Sequence, residues 1–302
     1  MNALTIKNLY KSFGEKTVLD GISFSVAQGS VFGFIAKNGA GKTTTMKIIL
    51  GLLMADAGEI AVFDEPASYG NTRTNRHIGY LPDVASFYNY MRPLEYLSLC
   101  GEVCGLERTK IRTKSLELLS LVGLDNQKGK IGGFSRGMKQ RLGIAQALLA
   151  EPKLLICDEP TSALDPSGRK EILDLLHSVK DKTTVMFSTH VLSDVERICD
   201  SVSILDQGKI VLSGSLSELK ARRHNQFHIE FAQEDVLRHF LAILHANHIQ
   251  ALMEDKHIVV STNQPDTTGG QLLHLLASHS FVPSLFEIAE PTLENLFLEV
   301  VQ

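Results

Sequence analysis

Residues Ala36 to Thr45 read AKNGAGKTTT, and the apolar runs on either side, Val31-Phe32-Gly33-Phe34-Ile35 and Met46-Lys47-Ile48-Ile49-Leu50, decide how the chain is read. The order predicts a strand, a glycine-rich loop and then a helix. Such a loop turns its backbone N–H groups inward at a helix N-terminus, where the helix dipole also favours phosphate. The stretch from Ala36 to Thr43 follows G-x-x-x-x-G-K-[ST] except at its first position, where alanine stands for glycine. In that pattern Lys42 reaches the outer phosphates and the Thr43 hydroxyl completes the shell of a Mg²⁺ ion. If residue 36 needs a positive φ, its alanine costs on the order of 1–2 kcal/mol.

Outward from this loop the chain alternates strands and helices. Leu4 to Tyr10 alternates as a half-buried strand, and Val18-Leu19 with Ile22 to Val26 continues an antiparallel region that turns at Ala27-Gln28-Gly29. Tyr10 by itself reads as an aromatic at a strand edge. The helix after the loop is expected to run to about Leu50, with Gly51 as its C-cap. Gly58–Val62 and Ile78–Leu81 are expected strands, and Pro82-Asp83 breaks out of the second. Pro93 suits the first position of a helix reaching about Val103. A second helix is expected over Lys110–Val122, and a third follows Ser135, a plausible N-cap, to about Ala150. A helical portion over roughly 85–150 is thus inserted into an α/β core.

Leu154-Leu155-Ile156-Cys157 has the pattern of a buried parallel strand and ends in Asp158-Glu159-Pro160. Two adjacent carboxylates there are costly unless they serve a cation or a proton transfer. A helix is expected from Pro166 to about Val179, and a strand over Thr184–Phe187 runs into Ser188-Thr189-His190. Ser201–Leu205 and Lys209–Leu212 read as a hairpin. This alternation predicts a mostly parallel sheet with its ligand site at the carboxyl edge, where Lys42, Asp158, Glu159 and His190 can converge.

Composition is that of an ordinary globular protein: 302 residues, 44% hydrophobic and 21% charged, room for about two domains. No apolar run is long enough for a membrane span, and the N-terminus lacks the pattern of a signal peptide. A cytosolic location is expected, with any membrane contact indirect. The four cysteines, Cys100, Cys104, Cys157 and Cys199, read as free thiols, with Cys100 and Cys104 in core packing rather than on a metal. Residues 1–220 carry 26 Lys/Arg and 24 Asp/Glu, whereas 221–302 carry 4 and 10. No basic stripe appears, so nucleic acid is not an expected partner.

In the order of its motifs, the stretch 1–220 resembles the nucleotide-binding subunit of an ATP-binding cassette (ABC) transporter. AKNGAGKTT resembles the Walker A loop, LLICDEP (Leu154 to Pro160) Walker B with its glutamate, and FSRGMKQR (Phe134 to Arg141) the signature sequence, with Ser135 and Gly137 at its characteristic positions. SALD (Ser162 to Asp165) is similar to the D-loop, His190 to the switch histidine, and Tyr10 to the aromatic that stacks on adenine.

The resemblance implies a P-loop ATPase cassette: a parallel-sheet core, an antiparallel β subdomain and the inserted helical subdomain. It implies two cassettes facing head to tail with ATP between them, and an ATP contact at Ala36, Lys37, Asn38, Gly39, Ala40, Gly41, Lys42, Thr43 and Thr44 of one subunit. Ser135, Gly137 and Asp165 complete that contact. Thr43 and Asp158 hold Mg²⁺; Glu159 is the general base, His190 orients the attacking water, and Lys42 stabilises charge. Asp83 stands where the family has a glutamine that links Mg²⁺ to the membrane part, and it is expected to reach the metal through water. Arg136 replaces a signature glycine.

Beyond Leu219 the pattern changes. Phe227–Phe231, Glu234–Ala246, Ile249–Leu252, Ile258–Ser261, Gln271–Ala277 and Phe281–Ile288 give the order β-α-β-β-α-β, which suggests a small ferredoxin-like α+β domain over 221–302. A final helix is expected from Pro291 to about Val301. Eight of the 11 histidines fall after residue 223, and His245 and His248 read as surface histidines. AEPTLENLFLEV resembles the tail of exporter ATPase subunits. The implied activity is ATP hydrolysis powering export through separately encoded integral membrane permease subunits, by a homodimer peripheral on the inner face of the cell membrane. A soluble ATPase of the same superfamily, acting on ribosomes or nucleic acid, is the alternative. This chain has one cassette and no long heptad run, which disfavours it.

Overall fold

Strands β1 (Asn2–Phe13) and β2 (Lys16–Ala27) form a hairpin because their alternation sends Leu4 and Ile6, and Ile22, Phe24 and Val26, to one buried face, and a register shift at Asn8 (φ 47°) buries Leu9 as well. With β4 (Ala57–Val62) and β5 (Glu65–Pro66), which follow the parallel core strand β3 (Val31–Ala36) and helix α1 (Lys42–Ile49), they make a four-stranded antiparallel sheet in the order β2-β1-β4-β5. The computed structural model describes residues 1–221, 225–254, 257–289 and Leu293. Phe24 of this sheet stacks on Phe32 and Phe34 of β3, with ring centroids 5.4 and 5.1 Å apart, and so joins the two sheets through one core.

The second sheet has six strands. It contains β3, β6 (Ile78–Leu81), β7 (Leu154–Asp158), β8 (Thr184–Thr189), β9 (Ser201–Asp206) and β10 (Lys209–Ser215), in the order β10-β9-β3-β8-β7-β6. All pairings are parallel except the β9–β10 hairpin. Every residue of β3, β7 and β8 is buried, as continuous apolar runs demand of strands covered on both faces.

Between β6 and β7 lie α2 (Pro93–Val103), α3 (Arg108–Leu121) and α4 (Arg136–Leu148). Pro93 occupies the first turn of α2, where Glu95 accepts the Arg92 N–H at 2.9 Å. Ser135 caps α4 by accepting the Met138 N–H at 3.2 Å. The remaining helices of this part are α5 (Pro166–Ser178) and α6 (Leu192–Ile198), and α7 (Leu216–Ala221) follows β10. Helix α6 has only seven residues and was not anticipated: an element that short carries too little periodicity to register.

The chain divides into two compact units between Leu216 and Ser217. The second contains β11 (Asn225–Glu230), α8 (Glu234–Ala246), β12 (Leu252–Glu254), β13 (His257–Thr262), α9 (Pro265–Ser278) and β14 (Leu285–Ala289). Its sheet is antiparallel in the order β12-β13-β11-β14, with Phe227, Ile229, Phe240, Leu244, Ile258 and Leu272 in its core.

Two strand boundaries differ from expectation here, and α9 starts at Pro265, well before the expected Gln271, because proline suits a first helical turn. Strand β12 starts at Leu252 because α8 ends through Asn247 and a left-handed His248 (φ 61°), and Ile249 still bonds back to Leu244. Strand β14 starts at Leu285, after Pro283, which has no N–H to give a ladder. Phe281, expected in the strand, packs instead on Phe231 and Phe240. The expected final helix lies outside the described residues. His245 is exposed, and its Nε2 lies 3.0 Å from the Ala251 carbonyl. No helix among the described residues is long and apolar enough to cross a membrane. Cys157 and Cys199 are buried, Cys100 half-buried and Cys104 exposed, all as free thiols, so the core packing expected of Cys104 does not hold: it follows the last turn of α2 on the solvent side.

Candidate functional site

The order β3-β8-β7-β6 sets the loops after these strands side by side along the carboxyl edge of the sheet. The loop after β3 turns through Gly39 (φ 79°) and Gly41 (φ 114°), conformations that suit glycine. At Gly41 a side chain is also excluded sterically, since a Cβ there would lie 2.8 Å from Leu19 Cδ2 and 3.2 Å from the Val18 carbonyl. Lys37, Asn38, Gly39 and Thr43 are exposed, Ala40 and Thr44 half-buried. Ala36 is the last residue of β3, buried, and absent from the residues with positive φ. The strain expected of alanine there does not arise.

Lys42 begins α1, and its buried side chain folds back under the loop. Its Nζ donates to the Ala36 carbonyl at 2.7 Å and the Lys37 carbonyl at 3.3 Å, and lies 2.9 Å from Glu159 Oε1. Glu159 follows β7 with φ 48°, a strained conformation for a residue with a side chain. Its other oxygen accepts from His190 Nδ1 at 3.0 Å; a carboxylate only accepts, so Nδ1 carries the proton of this contact. The Thr43 hydroxyl donates to Asp158 Oδ2 at 2.6 Å.

A residue to which sequence reasoning gave no role joins these groups. Ser188, fully buried at the end of β8, is the register partner of Asp158. Its hydroxyl donates to Asp158 Oδ1 at 2.6 Å and accepts the Glu159 N–H at 3.0 Å. A serine directly after the apolar run Val185-Met186-Phe187, two residues before His190, was the available signal.

Thr43 Oγ1 and Asp158 Oδ2 form an all-oxygen pair of the kind that suits Mg²⁺, which takes one or two protein oxygens and completes its shell with phosphate and water. Among the described residues no group of three or more His, Cys, Asp or Glu is arranged to hold a metal. Asp83 lies in the loop after β6, at the same sheet edge. Its carboxylate faces the Arg136 guanidinium at 3.8 Å, and Arg136 also donates to Ser162 Oγ at 3.3 Å. The Tyr80 phenol is pushed up to about 12 by burial, and next by the charges of Asp158, Cys157 and Asp83.

Ser135, Gly137 and Asp165 line a separate open cleft of about 370 Å³. Gly137 leaves room there: a Cβ would meet only Leu164, at 3.7 Å. Asp165 caps α5 by accepting the Gly168 N–H at 3.2 Å. Tyr10 lies with its ring across Gly21, where an added Cβ would be 2.7 Å from the phenol oxygen. At the tip of the same hairpin Phe13 is 51% exposed, with Lys11 Nζ 5.3 Å from its ring centroid. It pairs with Lys16, two residues before the Val18 carbonyl that abuts the phosphate loop.

The family profile described as ABC transporter matches residues 19–162. An uncharacterized ABC transporter ATP-binding protein of Bacillus subtilis, YxlF, is 39% identical over 306 residues, covering 99% of both chains. The Nod factor export ATP-binding protein I of Ralstonia nicotianae is 32% identical, covering 98% of this chain and 93% of its own. A solved ATP-binding subunit of an ABC transporter superimposes with a TM-score of 0.64 at 30% identity, over 81% of this chain and 98% of its own. The chain belongs to the ABC transporter ATP-binding protein family.

Proposed function

We propose that this chain binds and hydrolyses ATP at a head-to-tail homodimer interface and powers export through separately encoded membrane permease subunits. The observation that carries the reading is the convergence of Lys42, Thr43, Asp158, Glu159 and His190 at one sheet edge. Lys42 and the N–H groups from Gly39 to Thr44 bind the β- and γ-phosphates at the N-terminus of α1. Thr43 and Asp158 hold Mg²⁺, which supplies charge neutralisation on the phosphate oxygens. Glu159 takes the proton of the attacking water, and His190 fixes the orientation of that carboxylate. Catalysis is then positioning and charge stabilisation, as phosphoryl transfer requires.

The cleft of Ser135, Gly137 and Asp165 shares no residue with this cluster, and it suits the γ-phosphate of a second subunit's ATP through the N-terminus of α4. Asp83 belongs with Arg136 in this reading rather than with Mg²⁺. Residues 1–220 form the ATPase domain, with the helical subdomain over about 85–150. Residues 221–302 form an accessory domain, for which the β-α-β-β-α-β order supports a ferredoxin-like assignment. The name of the Nod factor export relative, similar over nearly the whole chain, supports export, with the chain peripheral on the cytoplasmic face of the membrane.

The test is to trap the dimer and recover the partner. With Mg²⁺ and ATP, the Glu159→Gln variant is expected to elute as a dimer, and the tagged wild type to co-purify with a polytopic membrane protein. A variant that stays monomeric under ATP, or a tagged chain recovered only with ribosomes or nucleic acid, contradicts the reading.

A further inference from the structure

Asp194 is 2% exposed, a carboxylate inside the protein that the chemistry above does not use. It lies in the first turn of α6, four residues after His190. Its Oδ2 accepts the hydroxyl of Thr161 at 2.7 Å, and its Oδ1 faces Arg169 Nε at 3.9 Å. That Nε is itself buried and has no hydrogen-bond partner among the described residues. A buried carboxylate is costly unless bonded and paired, so its retention calls for a purpose.

Thr161 supplies one. It is 1% exposed and sits two residues after Glu159, in a loop where Glu159 (φ 48°) and Ala163 (φ 52°) both adopt left-handed backbone. Two successive turns share it: the Ser162 N–H bonds the Glu159 carbonyl at 3.0 Å, and the Leu164 N–H bonds the Thr161 carbonyl at 3.3 Å. Such a backbone persists only where its surroundings over-determine it. Ser188 holds the loop at the Glu159 N–H, and the Thr161–Asp194 bond is a second anchor on the far side of Pro160. Burial raises the affinity of Asp194 for its proton, while Thr161 and then Arg169 oppose that shift, as expected of a bond made to the charged form.

We propose that Asp194 is a positioning residue for hydrolysis: through Thr161 it holds the strained turn carrying Glu159 in register with the segment carrying His190. The inference rests on the reading of Glu159 as the base. It adds to that reading a link between the loop 159–165 and α6, so that displacement of one displaces the other.

The experiment compares full-length wild type, Thr161→Val, Thr161→Ser, Asp194→Asn, the Thr161→Val/Asp194→Asn double variant and Glu159→Gln. The readouts are kcat, KM for ATP and the thermal midpoint. Thr161→Val keeps the shape of the side chain and removes the hydroxyl. It is expected to lower kcat about ten-fold or more with KM within about two-fold, because small misplacement of a reacting group is costly. Thr161→Ser should restore most of the rate, and the double variant should lose no more than its worse parent.

An unchanged kcat in Thr161→Val overturns the proposal. So does a kcat that falls only in step with the thermal midpoint and KM, or additive losses in the double variant. If Glu159→Gln hydrolyses at the wild-type rate, the reading of the base fails and the inference falls with it. If Glu159→Gln is inactive and Thr161→Val is not impaired, the inference alone fails.

Discussion

Lys42 Nζ lies 2.9 Å from Glu159 Oε1, so the phosphate-binding cation and the proposed base neutralise each other beneath the loop. Both side chains are nearly buried, so each is the other's nearest opposite charge in a place that water barely reaches. The sheet order makes this possible: β8 lies between β3 and β7, and its Ser188, with His190 just after it, holds Asp158 and Glu159 facing the loop. Under the proposed function, a phosphate arriving at Lys42 would compete with Glu159 for the ammonium and free the carboxylate as it binds.

Removing one member of this pair should be worse than removing both. Lys42→Met leaves a buried carboxylate without its cation, at a cost of about 3 kcal/mol in stability. Adding Glu159→Gln should return a good part of that loss. Chemical denaturation of the two variants checks it, and equal destabilisation of the single and double variants would show that the pair carries no coupling.

The exposed aromatic of the β1–β2 hairpin should distinguish two candidates for the adenine platform. Tyr10 lies across Gly21 and is 42% exposed, whereas the Phe13 ring stands at the hairpin tip and is 51% exposed. Phe13→Ala is expected to weaken ATP binding by about 1–2 kcal/mol, the scale of base–aromatic stacking, with phosphate-only ligands unaffected. Tyr10→Ala should leave ATP affinity within about two-fold. Calorimetric titration that finds the reverse order would restore Tyr10 as the platform.

Asp194 gives stability a pH dependence of known sign. Burial raises its folded-state pKa above the unfolded value of about 3.9. Between those two values the folded chain binds more protons than the unfolded chain, so stability falls as pH rises through the window. Asp194→Asn cannot ionise and should lack this slope. From about pH 4 toward neutrality, wild type should therefore lose stability relative to the variant. A difference between the two that is flat with pH, or opposite in sign, contradicts the burial argument.

The core strands were plain in the sequence because β3, β7 and β8 are each built on a continuous apolar run, and Pro93 and Ser135 mark helix starts by local chemistry alone. The site was legible to the same depth: Lys42, Asp158, Glu159 and His190 each follow or end such a run. Their pairing was not, since periodicity reports the burial of one strand and says nothing of its neighbours. The Asp158–Ser188 register, the Lys42–Glu159 pair and the Thr161–Asp194 bond span 30 to 117 residues of chain and exist only once the sheet order is set. Asp83 shows the limit from the other side. The resemblance suggested a metal there, and what the sequence does not show is that Arg136, 53 positions away, supplies a charge its carboxylate faces. Ala36 was suspected of strain because a pattern has glycine there, whereas the strand simply continues through it.

The most direct test of the account is Glu159→Gln, measured for both hydrolysis and ATP affinity on the same preparation. The amide cannot take a proton from water, so turnover should fall by about 10² or more. The amide also no longer competes for Lys42, so ATP should bind as tightly as to wild type or several-fold more tightly. Loss of turnover with retained or improved affinity is the predicted result. Wild-type turnover, or an affinity that collapses together with the rate, would contradict the claim that Glu159 is the base held in waiting by Lys42.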